Sequence, residues 1–261
     1  MTVMTTIPPD SFRGMLERIR RSPLYSHPSA FLWRDSFSFH NQFCEAVVNV
    51  GMLTWEEMAH AAGRYCIGAS RNHGVIFWQI DEEGRVHDGK VMYYRPDCHR
   101  MKDHDPTWAS FLLARRHHFP KGSWTASHCF FGLHLTKETR GEMKAVGDDK
   151  AVAIVEAEKT AFILSERCPR YIWLAAGGMG EVQPHKFRPL RGRRIVMFPD
   201  TDPDGTAFNQ WTKAAETVMA APFWEGSPPI RVSPLLELRA TAEQKQRKID
   251  LVDYLFENES V

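Results

Sequence analysis

Two short apolar runs in the second half of the chain each end in acid. Ala151-Val152-Ala153-Ile154-Val155 runs into Glu156, and Ile195-Val196-Met197-Phe198-Pro199 runs into Asp200, Asp202 and Asp204. An unbroken apolar run of about five residues, bounded by polar punctuation, predicts a strand buried on both faces, as in a parallel sheet under helices. Ligands of such sheets sit in the crevice beyond the carboxyl ends of the strands. Both acid groups fall there. A lone carboxylate facing aspartates spaced two apart suits a hard divalent cation such as Mg2+, which takes oxygen ligands and serves phosphate chemistry.

Composition narrows the setting. A chain of 261 residues, 43% hydrophobic, can bury the core of one or two domains. No apolar run approaches the roughly 20 residues of a membrane span, so no membrane partner is expected. The start, Met1-Thr2-Val3-Met4-Thr5-Thr6, lacks the basic flank and apolar stretch of a secretory signal. The five cysteines (Cys44, Cys66, Cys98, Cys129, Cys168) are odd in number, scattered and never in a CxxC. They read as reduced thiols of a cytoplasmic protein. Cys98-His99 and His128-Cys129 are pairs of neighbours, and neighbours rarely both ligate one tetrahedral zinc ion. A net charge of +1 argues against a general nucleic-acid coat protein. The charge is uneven, however: residues 1–147 hold 18 basic against 15 acidic side chains, and residues 148–261 hold 15 against 17.

Three segments follow from the texture of the chain. Residues 1–40 form an amphipathic arm, with Phe12, Met15, Leu16 and Ile19 at helical spacing, and a Pro-, Ser- and aromatic-rich connector. Residues 41–147 open with two helices, the second announced by the capping box Thr54-Trp55-Glu56-Glu57. Two β-rich runs, Gly74–Ile80 and Arg85–Tyr94, flank the turn Asp81-Glu82-Glu83-Gly84 and predict a hairpin. A loop-rich stretch with one helix near Trp108–Arg116 completes the segment. From residue 148 strands and helices alternate. Strands are expected at Ala151–Val155, Tyr171–Ala175, Ile195–Pro199 and Ile230–Val232, with helices at Lys159–Cys168, Ala207–Ala220 and Ile249–Phe256.

Val155-Glu156-Ala157-Glu158-Lys159-Thr160-Ala161, then Ala175-Ala176-Gly177-Gly178, then Asp200-Thr201-Asp202-Pro203-Asp204-Gly205 resembles the Toprim domain. That domain is the metal-binding catalytic fold of bacterial primases, topoisomerases and some nucleases. Its pattern is a strand ending in Glu, a strand ending near Gly and a strand ending in Asp-x-Asp. Upstream, Arg64-Tyr65-Cys66-Ile67-Gly68, the hairpin, and Phe130-Phe131-Gly132-Leu133-His134 resemble the basic subdomain that precedes Toprim in replicative primases. The whole chain is most similar to primase-like Toprim proteins of plasmids and conjugative elements, without their zinc ribbon. The resemblance implies an α/β, Rossmann-like C-terminal domain with a mostly parallel sheet flanked by helices, beside a smaller α+β subdomain. It implies Glu156 as a general acid/base or metal-orienting group, and Asp200, Asp202 and Asp204 as ligands of Mg2+ or Mn2+. It further implies backbone approach at Gly178 and nucleotide contact by Lys159 and Lys213. The implied activity is nucleotidyl transfer on single-stranded DNA in replication or transfer of a mobile element. Metal-dependent cleavage, or nucleic-acid binding without catalysis, are the alternatives. A helicase or a partner bearing a zinc ribbon would complete the machinery.

Three further readings bear on the site. Glu158 is either an alternative ligand or a solvated first-turn acid favoured by the helix dipole. Asp202-Pro203-Asp204-Gly205-Thr206 also resembles the nucleophile loop of haloacid-dehalogenase-type phosphatases, in which Asp202 would carry the phosphoryl group. That family sets its motif on the first strand and uses a downstream acid pair, and the sequence offers no evident pair. For nucleic acid, Lys90, Arg95, Arg100, Lys102, Arg115, Arg116 and Lys121 are interleaved with Tyr93, Tyr94, Trp108 and Trp124, the usual mixture of phosphate-neutralising cations and stacking rings. The run Arg191-Gly192-Arg193-Arg194 enters the third strand about 20 Å from the acids and reads as a solvated strand entry or a distal backbone contact.

Overall fold

The computed structural model describes residues 41–70, 72–120, 127–138 and 150–259. The N-terminal arm, Lys121 and Trp124 lie outside the described residues. The chain divides into two compact units, Met1–Cys129 and Phe130–Val261. The division falls upstream of the change of texture at residue 148, because Phe131 exchanges backbone hydrogen bonds of 3.0 and 3.1 Å with Ala175. Those bonds tie the segment to the sheet of the second unit.

In the first unit, α1 (Gln42–Asn49) and α2 (Trp55–Tyr65) precede an antiparallel sheet of order β1-β2-β3-β4. The strands are Gly68–Ala69, Val75–Ile80, Val86–Met92 and Thr107–Trp108. The Thr54–Glu57 capping box forms as predicted, with both reciprocal bonds present. The expected hairpin is β2 and β3. Its turn is closed by Asp81, whose Oδ1 accepts the Glu83 and Arg85 N–H groups at 2.9 Å each. All six residues of β2 are buried, so this strand has core on both faces. Phe77 packs its ring against Phe43, while Ile76, Trp78 and Ile80 pack with Val91 and Ala109. Ala109 begins α3 (Ala109–Arg116), the helix expected there. Its first turn is held by buried Asp88, which accepts the Ser110 N–H at 3.0 Å and hydroxyl at 2.6 Å.

In the second unit, after the short α4 (Leu135–Glu138), β5 (Ala151–Val155), β6 (Tyr171–Ala175), β7 (Ile195–Phe198) and β8 (Arg231–Val232) form a wholly parallel sheet. Its order is β6-β5-β7-β8. The helices are α5 (Glu158–Arg167), α6 (Thr206–Met219), α7 (Leu235–Arg239), α8 (Ala242–Arg247) and α9 (Leu251–Glu259). Helix α5 packs on β5 and β6, α9 packs on α5, and α6 packs on β8. Strand β5 is buried along Val152–Val155, as its sequence requires. Strand β7 differs from the expectation: Ile195 and Met197 are buried, but Val196 and Phe198 keep part of their surface in water. Helices α7 and α8 were not anticipated, although Thr241-Ala242-Glu243-Gln244 forms a full capping box of the kind that placed α2. No helix among the described residues is long and apolar enough to cross a membrane.

One backbone position tests the packing of the first unit. Gly89 lies opposite Trp78 in the β2–β3 ladder, and a Cβ there would meet the indole at 2.6 Å and Ile76 at 2.8 Å. Gly89→Ala is therefore expected to destabilise the fold by about 1–3 kcal/mol through overpacking, read from the urea midpoint. An unchanged midpoint would contradict the packing of Trp78 across Gly89.

Candidate active site

The chain leaves central β5 to form β6 on one side, then returns to form β7 on the other. Loops leaving the two strands diverge, so the carboxyl ends of β5 and β7 bound the crevice where such sheets bind ligands. Val155 and Phe198 are register partners. Glu156 follows the first directly, and Asp200 follows the second after Pro199. Both carboxylates line one cavity of about 350 Å³ together with Asp202, Asp204, Thr206 and Lys248.

The three aspartates are not equivalent. Asp202 turns the chain from β7 into α6. Its Oδ1 accepts the Asp204 and Thr206 N–H groups at 3.0 and 2.9 Å, and its Oδ2 accepts the Ala207 N–H at 2.7 Å. Burial acts to raise its pKa, but these three donors and the Lys248 charge outweigh burial and hold it below the ordinary carboxylate value. This carboxylate is committed to the start of α6, which leaves it poorly placed as an attacking nucleophile. Asp204 is exposed at the rim. Asp200 is the unsatisfied carboxyl: its Oδ1 is shielded from water and has no hydrogen-bond partner among the described residues. Burial, reinforced by Asp250 and Glu156, drives its pKa well above the ordinary value.

Asp250 and Asp253 are the functional-site neighbours that the sequence reading missed, having found no acid pair downstream. The loop after β7 is tied to their segment by the Thr201 N–H to Ile249 C=O bond of 3.1 Å and by the Thr201 hydroxyl to Glu237 at 3.2 Å. Asp250 is buried, accepts the Thr160 hydroxyl at 2.6 Å and faces the Lys159 ammonium at 3.4 Å. Burial opposes its ionisation, but Lys159, Thr160 and the Asp253 N–H prevail and keep its pKa low. Two acids near one lysine thus divide their roles: Asp250 takes the charge, and Asp200 is left to hold a proton or meet another cation. The only sequence signal was the polar-apolar pattern Asp250-Leu251-Val252-Asp253 at a helix start.

The remaining predicted residues fall as follows. Lys159 spends its charge on Asp250 and Asp253 rather than on the cavity. Lys213 is exposed on α6 and does not line the cavity. At Gly178 the space is open, a Cβ meeting only Glu181 at 3.7 Å, but the backbone φ of +156° disfavours a side chain; at Gly177 (φ +94°) a Cβ would stand 3.3 Å from Glu158 Oε1. Glu158 is buried rather than solvated. Buried Lys186, unremarked in the sequence, donates to Glu181 at 2.8 Å and to the Ala176 carbonyl at 3.4 Å, bracing the loop that holds these glycines.

In the first unit, Lys90 sits on β3, and Arg115 and Arg116 end α3. Arg95 is paired with Asp97, and Arg100 and Lys102 are exposed. Among the rings, Tyr93 contacts His104 and Trp108 stacks on His128. Tyr94, in contrast, is core, packed against Phe43 at 4.9 Å and closed to a base. In the second unit Arg193 is buried, donating to the Thr136 carbonyl, so the basic run is only partly solvated.

An all-oxygen donor set with one unpartnered buried carboxylate oxygen fits a hard divalent cation. Among the described residues no three His, Cys, Asp or Glu side chains converge into a closed metal cluster.

Two substitutions separate the aspartates. A carboxyl whose folded pKa is raised contributes most below its unfolded value near 4 and loses stability as pH rises toward the folded value. Asp200→Asn is expected to match the wild type near pH 4 and to exceed it by about 1 kcal/mol at neutral pH in metal-free buffer, read from denaturant titrations at both pH values. A wild-type advantage at neutral pH would refute the strained Asp200. The sign reverses at Asp202, whose contribution is present above its unfolded value and is lost as pH falls through its lowered folded value. Asp202→Ala is expected to cost about 1–2 kcal/mol by uncapping α6, with Asp202→Asn losing less. Equal stability of all three proteins would show the cap to be unimportant.

Several solved structures are similar to this chain in outline. The primase fragment of the bacteriophage T7 primase-helicase protein is 14% identical, with 72% of this chain and 69% of that one covered and a TM-score of 0.43. The DnaG primase catalytic domain bound to ssDNA is 12% identical, with 95% and 84% covered and a TM-score of 0.41. The zinc-binding and RNA polymerase domains of the Aquifex aeolicus primase are 13% identical, with 100% and 66% covered and a TM-score of 0.41. No curated protein matches the chain. Residues 41–201 match the family described as a domain of unknown function, DUF6371, and the chain belongs to that family.

Proposed function

We propose that this protein is a primase-like Toprim protein that joins nucleotides on a single-stranded DNA template, with Mg2+ or Mn2+ as cofactor, during replication or transfer of a mobile element. The observation that carries the reading is the shielded, unpartnered Asp200 Oδ1 in a cavity it shares with Glu156 at the carboxyl ends of adjacent parallel strands. Such an oxygen is costly to bury unless a positive charge meets it. The order Glu156, Gly177-Gly178, Asp200/Asp202 along three parallel strands supports the same reading.

In this reading Asp200 would hold the cation, with Asp204 at the rim and Asp202 fixing the loop that carries both. When bound, the cation neutralises phosphate charge and aligns the reacting oxygens. Glu156, half-buried beside it, orients the attacking group or takes its proton. Exposed Arg100, Lys102, Arg115 and Arg116 supply charge for the template backbone.

Incubation with single-stranded DNA, labelled ribonucleotides and Mg2+ or Mn2+ is expected to yield short primers. Asp200→Ala should cut the yield on the order of a hundredfold or more, as expected for losing several kcal/mol of charge stabilisation. Strand breaks in place of primers would assign the same acids to a nuclease. DNA binding without either product, equal in wild type and Asp200→Ala, would overturn the catalytic reading.

A further inference from the structure

Among the described residues, the cavity that holds the four carboxylates has one basic lining residue, Lys248. We propose that Lys248 is the phosphate-binding residue of this cavity, its ammonium receiving the anionic phosphate chain of a nucleoside triphosphate. The inference rests on the reading that the cavity receives a nucleotide, and adds the residue that would make a carboxylate-lined space tolerable to a phosphate.

Three observations carry it. The first is that the Lys248 ammonium has no partner at contact distance among the described residues, its charge reaching Asp202 only at longer range. Nearby cations are each held by an acid: Lys159 by Asp250 and Asp253, Lys245 by Glu237 at 3.0 Å, and Arg247 by Glu257 at 2.6 Å. The Lys248 side chain is exposed and makes no hydrogen bond or ion pair among the described residues.

The second is the backbone. Lys248 ends α8 in the left-handed conformation, φ 56° and ψ 54°, with its N–H returning to the Gln244 and Lys245 carbonyls. Glycine is the usual residue at such a cap, because a Cβ is strained there. A lysine keeps a four-carbon cationic arm at the cost of that strain, and local strain of this kind collects at functional positions.

The third is placement. The Thr201 N–H to Ile249 C=O bond fixes the residue after Lys248 to the residue after Asp200. The base of the lysine arm is thereby anchored beside the acid loop, while the ammonium stays free to move. A compact point charge on a flexible stem suits a phosphate chain. Lys213, the basic residue first expected to serve the nucleotide, does not line the cavity.

The test is a calorimetric titration of the full chain with ATP in excess Mg2+, beside ligand-free thermal melts. Lys248→Ala is expected to weaken ATP binding about 10- to 100-fold, the loss for one charge-assisted phosphate contact, and Lys248→Arg to restore most of it. Lys248→Gly should weaken binding equally while raising the melting temperature, since glycine relieves the cap. ATP binding by Lys248→Ala and Lys248→Gly equal to wild type would overturn the assignment and leave the nucleotide reading intact. Absence of ATP binding by the wild type would overturn both.

Discussion

Everything at the candidate site depends on β5 being hydrogen-bonded on both edges, to β6 on one side and β7 on the other. A central strand in a parallel sheet has no free edge and no wet face, so its sequence is restricted to small and branched apolar residues. Ala151–Val155 meets that restriction. The same pairing sets the register that puts Glu156 and Asp200 at one level of the sheet. The acids therefore need no local device to find each other; the ladders bring them together.

What the ladders cannot do is make the acids comfortable. Glu156, Asp200, Asp250 and Asp253 act on one another around the partly buried ammonium of Lys159. Lys159 and Thr160 settle the charge on Asp250, and backbone donors settle Asp202. Asp200 is the residue left over. A neutral side chain in its place would remove that repulsion, so Asp200 holds its position at a cost to the stability of the fold. Lys186 offers the contrast of a buried charge that is fully used, with one acid and one carbonyl to hold it.

Much of this was legible in the sequence because it was local. Apolar runs marked the strands of the second unit, the Thr54 box marked α2, and the acid tips marked the crevice. What was not legible depended on distant contacts. Asp250 and Asp253 look like ordinary helix-start acids until the Thr201–Ile249 bond brings their segment back to the strand ends. Tyr94 resembles a stacking ring until Phe43 and Phe77 close around it. Asp202 reads as one of a pair of equal ligands, and only the direction of the Ala207 N–H shows that it caps a helix. The Pro203 between the acids leaves room for this turn, because α6 begins only after Gly205 takes a left-handed φ of 66°.

The burial of the Lys159–Asp250 pair has a consequence for how the site meets its solution. Counter-ions screen charges they can approach, over about 8 Å at physiological ionic strength, and they approach poorly a pair whose side chains are only 12% and 8% exposed. Added salt therefore perturbs this internal arrangement little. It acts instead on the exposed charges at the rim, Asp204 and Lys248, which are the first an arriving ligand encounters. Ionic strength thus bears on the mouth of the cavity more than on the scaffold behind it.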